Sequence, residues 1–477
     1  MTVGSLSGGL VLTMDRTRPA YREATLVIED GCISGIVDGY IRHNESIDCR
    51  GSIVIPGFVN THAHMAEVLW RGCGGEQNTV DWIANRKHPL MAQLDGDSIR
   101  VGVRLACVEM LRSGTTAVLD PEVPAHLATR VASATGDIGI RAGLAVAVAS
   151  GAGYGASDHS HGNHHHSHAG SDSLDVAGPG FPGFVERWRR DKHERAALWL
   201  GLRVLSAADR HLGKVISAAL ERNRLRLTFH CAEQEADVEA VRASSGVGTL
   251  EYAEAIGLLG PATVISHGVH LDEPDIEVLQ RTGTRVSHCP SSNSRTGAGV
   301  APVPAMTSRG INVGLGTDGG MVNDRYDMLS EMRYAALLHK AVSGDPKAVT
   351  PERALRMATR DGARALGLES GILRPGAPAD VCVVDLEALG SWPAYNPVDA
   401  LVFSAGSRNV RHVLVGGEPR LLGGDLVGVN IPELLAEAAE VSRYTIRAAG
   451  LEEEVKPSWL RREGRSSHGY RRSHPHG

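Results

Sequence analysis

Pro56–His64, PGFVNTHAH, is the stretch on which the fold turns. It closes an apolar run, SIVIPGFV, with two histidines one residue apart. In extended backbone, residues i and i+2 share a face. His62 and His64 therefore project side by side, as two imidazoles sharing one metal ion must. Imidazole suits zinc, and also iron, nickel or copper. Alone, the pair reads equally well as two surface histidines at a strand end. The choice depends on whether distant parts of the chain supply the missing ligands.

Working outward, residues 56–369 alternate between short apolar runs and helical material. Eight strands are expected: SIVIPGFVNTH, TTAVLD, RAGLAVAVA, ALWLGLRV, RLRLTFH, ATVISH, TRVSH and INVGLGTD. The segments between them carry helical periodicity, as in DEPDIEVLQRTG and DRYDMLSEMRYAALLHK. Strand–helix alternation repeated eight times predicts an α/β fold, a (β/α)8 barrel. In such a barrel the active site lies at the C-terminal ends of the strands. Strand one ends in His62 and His64, strand five in His230, strand six in His267, strand seven in His288 and strand eight in Asp318.

The flanks differ from this middle. Residues 1–55 contain short β-rich runs separated by Gly and Asp turns, and residues 370–425 contain matching material. Two β segments so far apart predict a small composite β-sandwich with the barrel inserted between its halves. Residues 150–180 form a Gly-, Ser- and His-rich insert with six histidines between His159 and His168. It has no periodic core face and reads as a disordered loop, with metal capture as the other reading. A helix is expected over 426–454, and a basic, disordered tail over 455–477.

Composition narrows the function classes. The chain has 477 residues, and 42% of them are hydrophobic, as in soluble enzymes. Lys and Arg number 49 against 55 Asp and Glu, a net charge of −6 that argues against a nucleic-acid or anionic-membrane surface. Seven scattered cysteines with no CxxC pair point to a reduced, cytoplasmic protein. No apolar run is long enough to span a bilayer, and no basic-then-apolar leader opens the chain. The expected partner is a small-molecule substrate, with self-association into a homo-oligomer left open.

His62, His64, His230 and Asp318 together give three imidazoles and one carboxylate at one barrel mouth. That set fits a catalytic divalent ion, zinc first and iron(II) second, with a position left for water. Glu233, three residues past His230, is the expected proton carrier, and His267 the group that polarises the same water. Each has a plainer reading. Glu233 fits an exposed first helical turn, Asp318 a turn or N-cap, and His267 a satisfied hydrogen-bonder. Their coincidence at one end of the strands favours the metal site.

These residues resemble the amidohydrolase superfamily. The motifs are PGFVNTHAHM with Arg71-Gly72, HCAEQE, SHGVHLDE, SHCPSSNSRTGAG, GLGTDGG and PGAPADVCVVDL. The branch they look like holds triazine hydrolases, S-adenosylhomocysteine deaminases and guanine and cytosine deaminases. The resemblance implies a barrel with a β-sandwich and one metal on His62, His64, His230 and Asp318. It implies proton transfer by Glu233, His267 and Asp318. Strand four ends GLRVLS without the lysine of binuclear branches, which implies a mononuclear site. The strand-seven motif departs from HNPxSNxKL at Cys289 and Arg295 but keeps His288, Ser292 and Asn293 as expected pocket residues. Met91 stands where ribose-recognising relatives carry Glu, and Arg203 lies near the position of an expected His. Arg203 and Arg295 are expected to pair with a substrate carboxylate or phosphate. The implied reaction is hydrolytic deamination of an amino-substituted N-heterocycle. Dechlorination or dealkylamination of a triazine is the alternative, and a non-catalytic scaffold the third reading.

Overall fold

The computed structural model describes residues 3–41, 45–149, 173–203 and 205–456. The histidine run His159–His168 and the tail beyond residue 456 lie outside these residues.

Eight parallel strands form one sheet in chain order: Phe58–Asn60, Thr115–Val123, Arg141–Ala149, Ala196–Leu202, Leu227–Cys231, Thr263–His267, Arg285–His288 and Val313–Leu315. The first and last meet, Thr61 N donating to Leu315 O at 2.9 Å and Asp318 N to His62 O at 2.9 Å, which curls the sheet into a barrel. Two glycines allow that approach. A Cβ on Gly314 would come within 2.6 Å of Thr61, and one on Gly316 within 2.8 Å of the His62 Cβ.

The helices between strands start and stop where local chemistry dictates. Asp95, Asp209, Asp272 and Asp327 cap the helices Gly96–Arg112, Arg210–Asn223, Glu273–Thr282 and Met328–Ser343, each accepting backbone N–H bonds. The helix Arg360–Leu366 packs under the barrel. Its Ala363, Ala365 and Leu366 join Val59, Ala117, Leu119, Ala145, Trp199 and Val264 in one apolar cluster that fills the interior.

The chain ends build a second, mixed sheet. Ser52–Pro56 pairs parallel with Ser5–Leu12 on one side and antiparallel with Val381–Asp385 on the other. The sheet continues through Ala20–Glu29 and Cys32–Asp38 one way and through Val410–Val415, Glu418–Leu422 and Asp425–Leu426 the other. Leu6, Leu26, Ile33, Val54, Val381 and Leu414 form its own core. A last helix, Ile431–Ala448, packs on Gly96–Arg112, and Thr445 Oγ1 accepts from Trp70 Nε1 at 2.8 Å. Within the expected 150–180 loop, the described part holds a short strand, Leu174–Asp175, paired with Val148–Ala149.

Candidate metal centre

Thr61 N bonds to strand eight and Ala63 N to Leu119 O of strand two, at 2.9 Å each. Alternate bonding to the two neighbours aims His62 and His64 at one interior point. The His64 and His230 Nε2 atoms lie 3.2 Å apart. Asp318 Oδ1 lies 3.5 Å from His62 Nε2 and 3.6 Å from His64 Nε2. His62, His64 and Asp318 form one group with donor atoms within 4.8 Å of one another, and His62, His230 and His267 form a second. The two groups share His62.

Neighbouring groups set the ring orientations. Ser266 Oγ is 2.7 Å from His62 Nδ1, and His62 Nε2 is buried with no hydrogen-bond partner among the described residues. Asn293 Oδ1 is 2.9 Å from His267 Nδ1, and His267 Nε2 is likewise buried and without a hydrogen-bond partner among the described residues. Ser292 Oγ donates to Asp318 Oδ2 at 2.5 Å and Gly319 N to Oδ1 at 2.7 Å. Buried imidazole nitrogens without partners are costly unless something binds them. Three imidazoles and one carboxylate converging there are a donor set suited to a zinc-like cation, so the residues present fit such an ion.

Electrostatics agree with the geometry. Burial depresses His62, His64 and His230 below the ordinary histidine value, keeping them neutral and able to donate a lone pair. Burial alone would raise Asp318, but the facing histidines outweigh it and hold the carboxyl well below its usual range. Burial raises Glu233, with His267 opposing. His267, which burial would lower, is held above its ordinary value by Glu233 and Asp318. Glu233 Oε2 lies 3.8 Å from His267 Nε2. Ala232, His267 and Asp318 have left-handed backbone, with φ of 49°, 72° and 64°. Such strain in non-glycine residues gathers at sites where the surroundings over-determine the conformation.

The other expected pocket residues take different places. Ser292 and Asn293 reach the centre, bonded to Asp318 and His267 as above. His288 is fully buried, its Nε2 3.0 Å from His339 Nε2. Arg203 pairs with Glu122 at 2.6 Å, and Arg295 forms an ion pair with Asp324.

Four residues that the sequence did not single out stand at the site. Lys87 Nζ lies between Glu122 at 3.0 Å and Glu67 at 3.3 Å, and 3.5 Å from His64 Nδ1. Thr79 Oγ1 donates to Glu233 Oε1 at 3.0 Å. Lys87 is delivered by a π-helical turn, Ile83–Lys87, that buries Arg86 and Lys87 in succession. Arg86 forms an ion pair with Glu454. A strongly polar WIANRKHP run gives no signal for this, because a regular helix would turn two adjacent basic residues 100° apart.

A family model for the amidohydrolase family matches residues 53–420. The 5-methylthioadenosine/S-adenosylhomocysteine deaminase of Syntrophobacter fumaroxidans is 35% identical over 445 residues, covering 92% of this chain and 97% of its own. The 5'-deoxyadenosine deaminase of Methanosarcina mazei is 35% identical over 418 residues, covering 87% of this chain and 91% of its own. A solved adenosine deaminase from Xanthomonas campestris with bound zinc shares the fold, with a TM-score of 0.83 at 24% identity over 93% of this chain and 98% of that one. The chain belongs to the amidohydrolase family, hydrolases of C–N bonds other than peptide bonds.

Proposed function

We propose that the chain is a mononuclear metal-dependent deaminase that hydrolyses the exocyclic amine of an N-heterocycle and releases ammonia. The observation that carries this reading is the convergence of His62, His64, His230 and Asp318 on one buried point with Glu233 alongside. Those four residues hold one divalent cation, zinc first and iron(II) second. Such a cation supplies a Lewis acid and brings the ionisation of water toward neutral pH.

The chain's own groups manage the protons. Glu233, kept above the usual carboxylate range by burial, accepts the proton of the attacking water and passes it to the departing nitrogen. His267, held by Asn293, has its proton affinity raised by Glu233 and Asp318 and faces the same water. Asp318 is a ligand and a second proton acceptor. The water oxygen ends on the ring carbon as a carbonyl, one water proton ends on the departing nitrogen and the other on the adjacent ring nitrogen, the C–N bond breaks, and the nitrogen leaves as ammonia. Relatives that carry deaminase names for adenosine derivatives support ammonia, rather than halide or an alkylamine, as leaving group. They put 6-aminopurine nucleosides first among substrates to try. Seven cysteines without a disulfide support a reducing, cytoplasmic setting. Among the described residues, no helix is long and apolar enough to cross a membrane.

The test is metal analysis of purified protein together with an ammonia-release screen of aminopurine nucleosides, aminopyrimidines, triazines and guanidino compounds. Glu233→Gln is expected to retain its metal and lose about 100- to 10,000-fold in turnover. Full activity in that variant, or no ammonia from any class, overturns the reading.

A further inference from the structure

Thr79 opens the short helix Thr79–Trp82 in the segment after strand one, with Asn78 as its N-cap. Its hydroxyl is buried between two polar partners. Gln234 Nε2 donates to Thr79 Oγ1 at 2.8 Å, and Thr79 Oγ1 donates to Glu233 Oε1 at 3.0 Å. An amide N–H can only donate. Thr79 receives at one end and, with Glu233 ionised, gives its single proton to Oε1 at the other.

We infer that Thr79 is a positioning residue that occupies one oxygen of Glu233 and leaves the other as its only proton-carrying atom. This inference rests on the proton role proposed for Glu233. Oε1, already accepting from a hydroxyl, is a poor place for a second hydrogen. Oε2 is the oxygen turned toward His267 Nε2, 3.8 Å away, and so toward the imidazole and carboxylate cluster of the centre. A carboxylate free to rotate would present either oxygen and would spend part of its time with its proton aimed away. The charged groups facing Glu233 are His267, Asp318 and Asp237. None of them makes a hydrogen bond to Oε1 among the described residues; Thr79 does. The bond reaches Glu233 from a residue 154 positions away in the chain. The loop that carries Thr79 therefore takes part in orienting the proton carrier.

The test uses the metal-loaded full chain with Thr79→Val and Thr79→Ser. Thr79→Val is expected to keep its metal content and its KM within about threefold, and to lower kcat about 10- to 100-fold, the effect of losing a hydrogen bond to a charged group. The bond stabilises the ionised carboxylate, so its loss moves the acid limb of the kcat/KM profile to higher pH. Thr79→Ser restores both. A readout that needs no substrate is the infrared carboxyl stretch of Glu233, identified by its disappearance in Glu233→Gln. It shifts to higher frequency in Thr79→Val and returns in Thr79→Ser. An unmoved stretch and an unmoved acid limb in Thr79→Val overturn the inference, even if kcat falls. If the native protein releases ammonia from nothing in the panel, the proposed reaction fails by itself, and the infrared shift still decides the role of Thr79.

Discussion

At the floor of the barrel, Val59, Ala117, Leu119, Ala145, Trp199 and Val264 close against Ala363 and Leu366 in one apolar cluster. A few residues further along the same strands, the interior holds His62, Asp120, His267 and Asp318, buried to a similar degree. One chain segment thus supplies apolar packing at one end and unpaired polar atoms at the other. The floor gains free energy from every side chain it excludes from water. The mouth loses it, because neutral imidazoles, strained φ angles and a lysine wedged between two carboxylates are all costly to bury. The contrast teaches that the barrel's stability and its chemistry are drawn from different layers of the same strands, as is general for this architecture. It also explains why the floor carries an indole. Trp199 fills the interior, its ring under the Arg226 guanidinium 4.8 Å away.

The sharpest way to break this division is at a donor. Asp318→Ala is expected to abolish stoichiometric metal, measured by elemental analysis, and to lower turnover by about 10,000-fold or more. Its circular dichroism should stay that of the native barrel. Collapse of the fold would mean that the mouth holds the barrel together.

The converse is Trp199→Ala. Emptying the floor should destabilise the protein by about 3–5 kcal/mol in denaturant titration. The kcat of the folded, metal-loaded variant should stay within about twofold of native. A loss of turnover comparable to that of Asp318→Ala would erase the distinction.

A smaller effect sharpens it. Burial lowers His339, bonded to His288 at the mouth, from an ordinary 6.5 to about 4. The unfolded chain therefore binds a proton at His339 in this interval and the folded chain does not. Stability from this group is complete above pH 6.5 and is lost as pH falls toward 4. Thermal melts of the metal-loaded protein should show that slope, and His339→Gln should make it shallower. An unchanged slope would mean that the pair carries none of the acid sensitivity.

The same contrast governs what was legible in the sequence. The floor announces itself through apolar runs, and the donors through polar residues at the ends of those runs. Both signals are periodic and local, so the eight strands and the convergence of His62, His64, His230 and Asp318 could be anticipated. Glu122 could not. Strand two was expected to end at Asp120, the last residue of TTAVLD. The strand continues to Val123 through a register shift between Asp120 and Val123, which carries Glu122 to Lys87 and Arg203. Lys87 and Thr79 were hidden for another reason. They lie on a loop whose π turn follows no sequence period, and their partners are twenty or more residues away. Ser292 and Asn293 were found for their position but expected to meet substrate. Their hydrogen bonds are to Asp318 and His267.

The mixed sheet built from the two chain ends has a consequence for how the molecule is made. Ser52–Pro56 runs straight into the first barrel strand, yet its neighbour Val381–Asp385 is synthesised more than three hundred residues later. A nascent chain emerging from the ribosome holds that edge open until the last fifth of the protein appears. The barrel is thus seeded next to an unfinished seam, and contacts of such sequence separation make assembly slow relative to helical proteins of equal stability. Joining the two halves of the sheet in a permuted chain, with new ends cut into an exposed barrel loop, would let the seam form first.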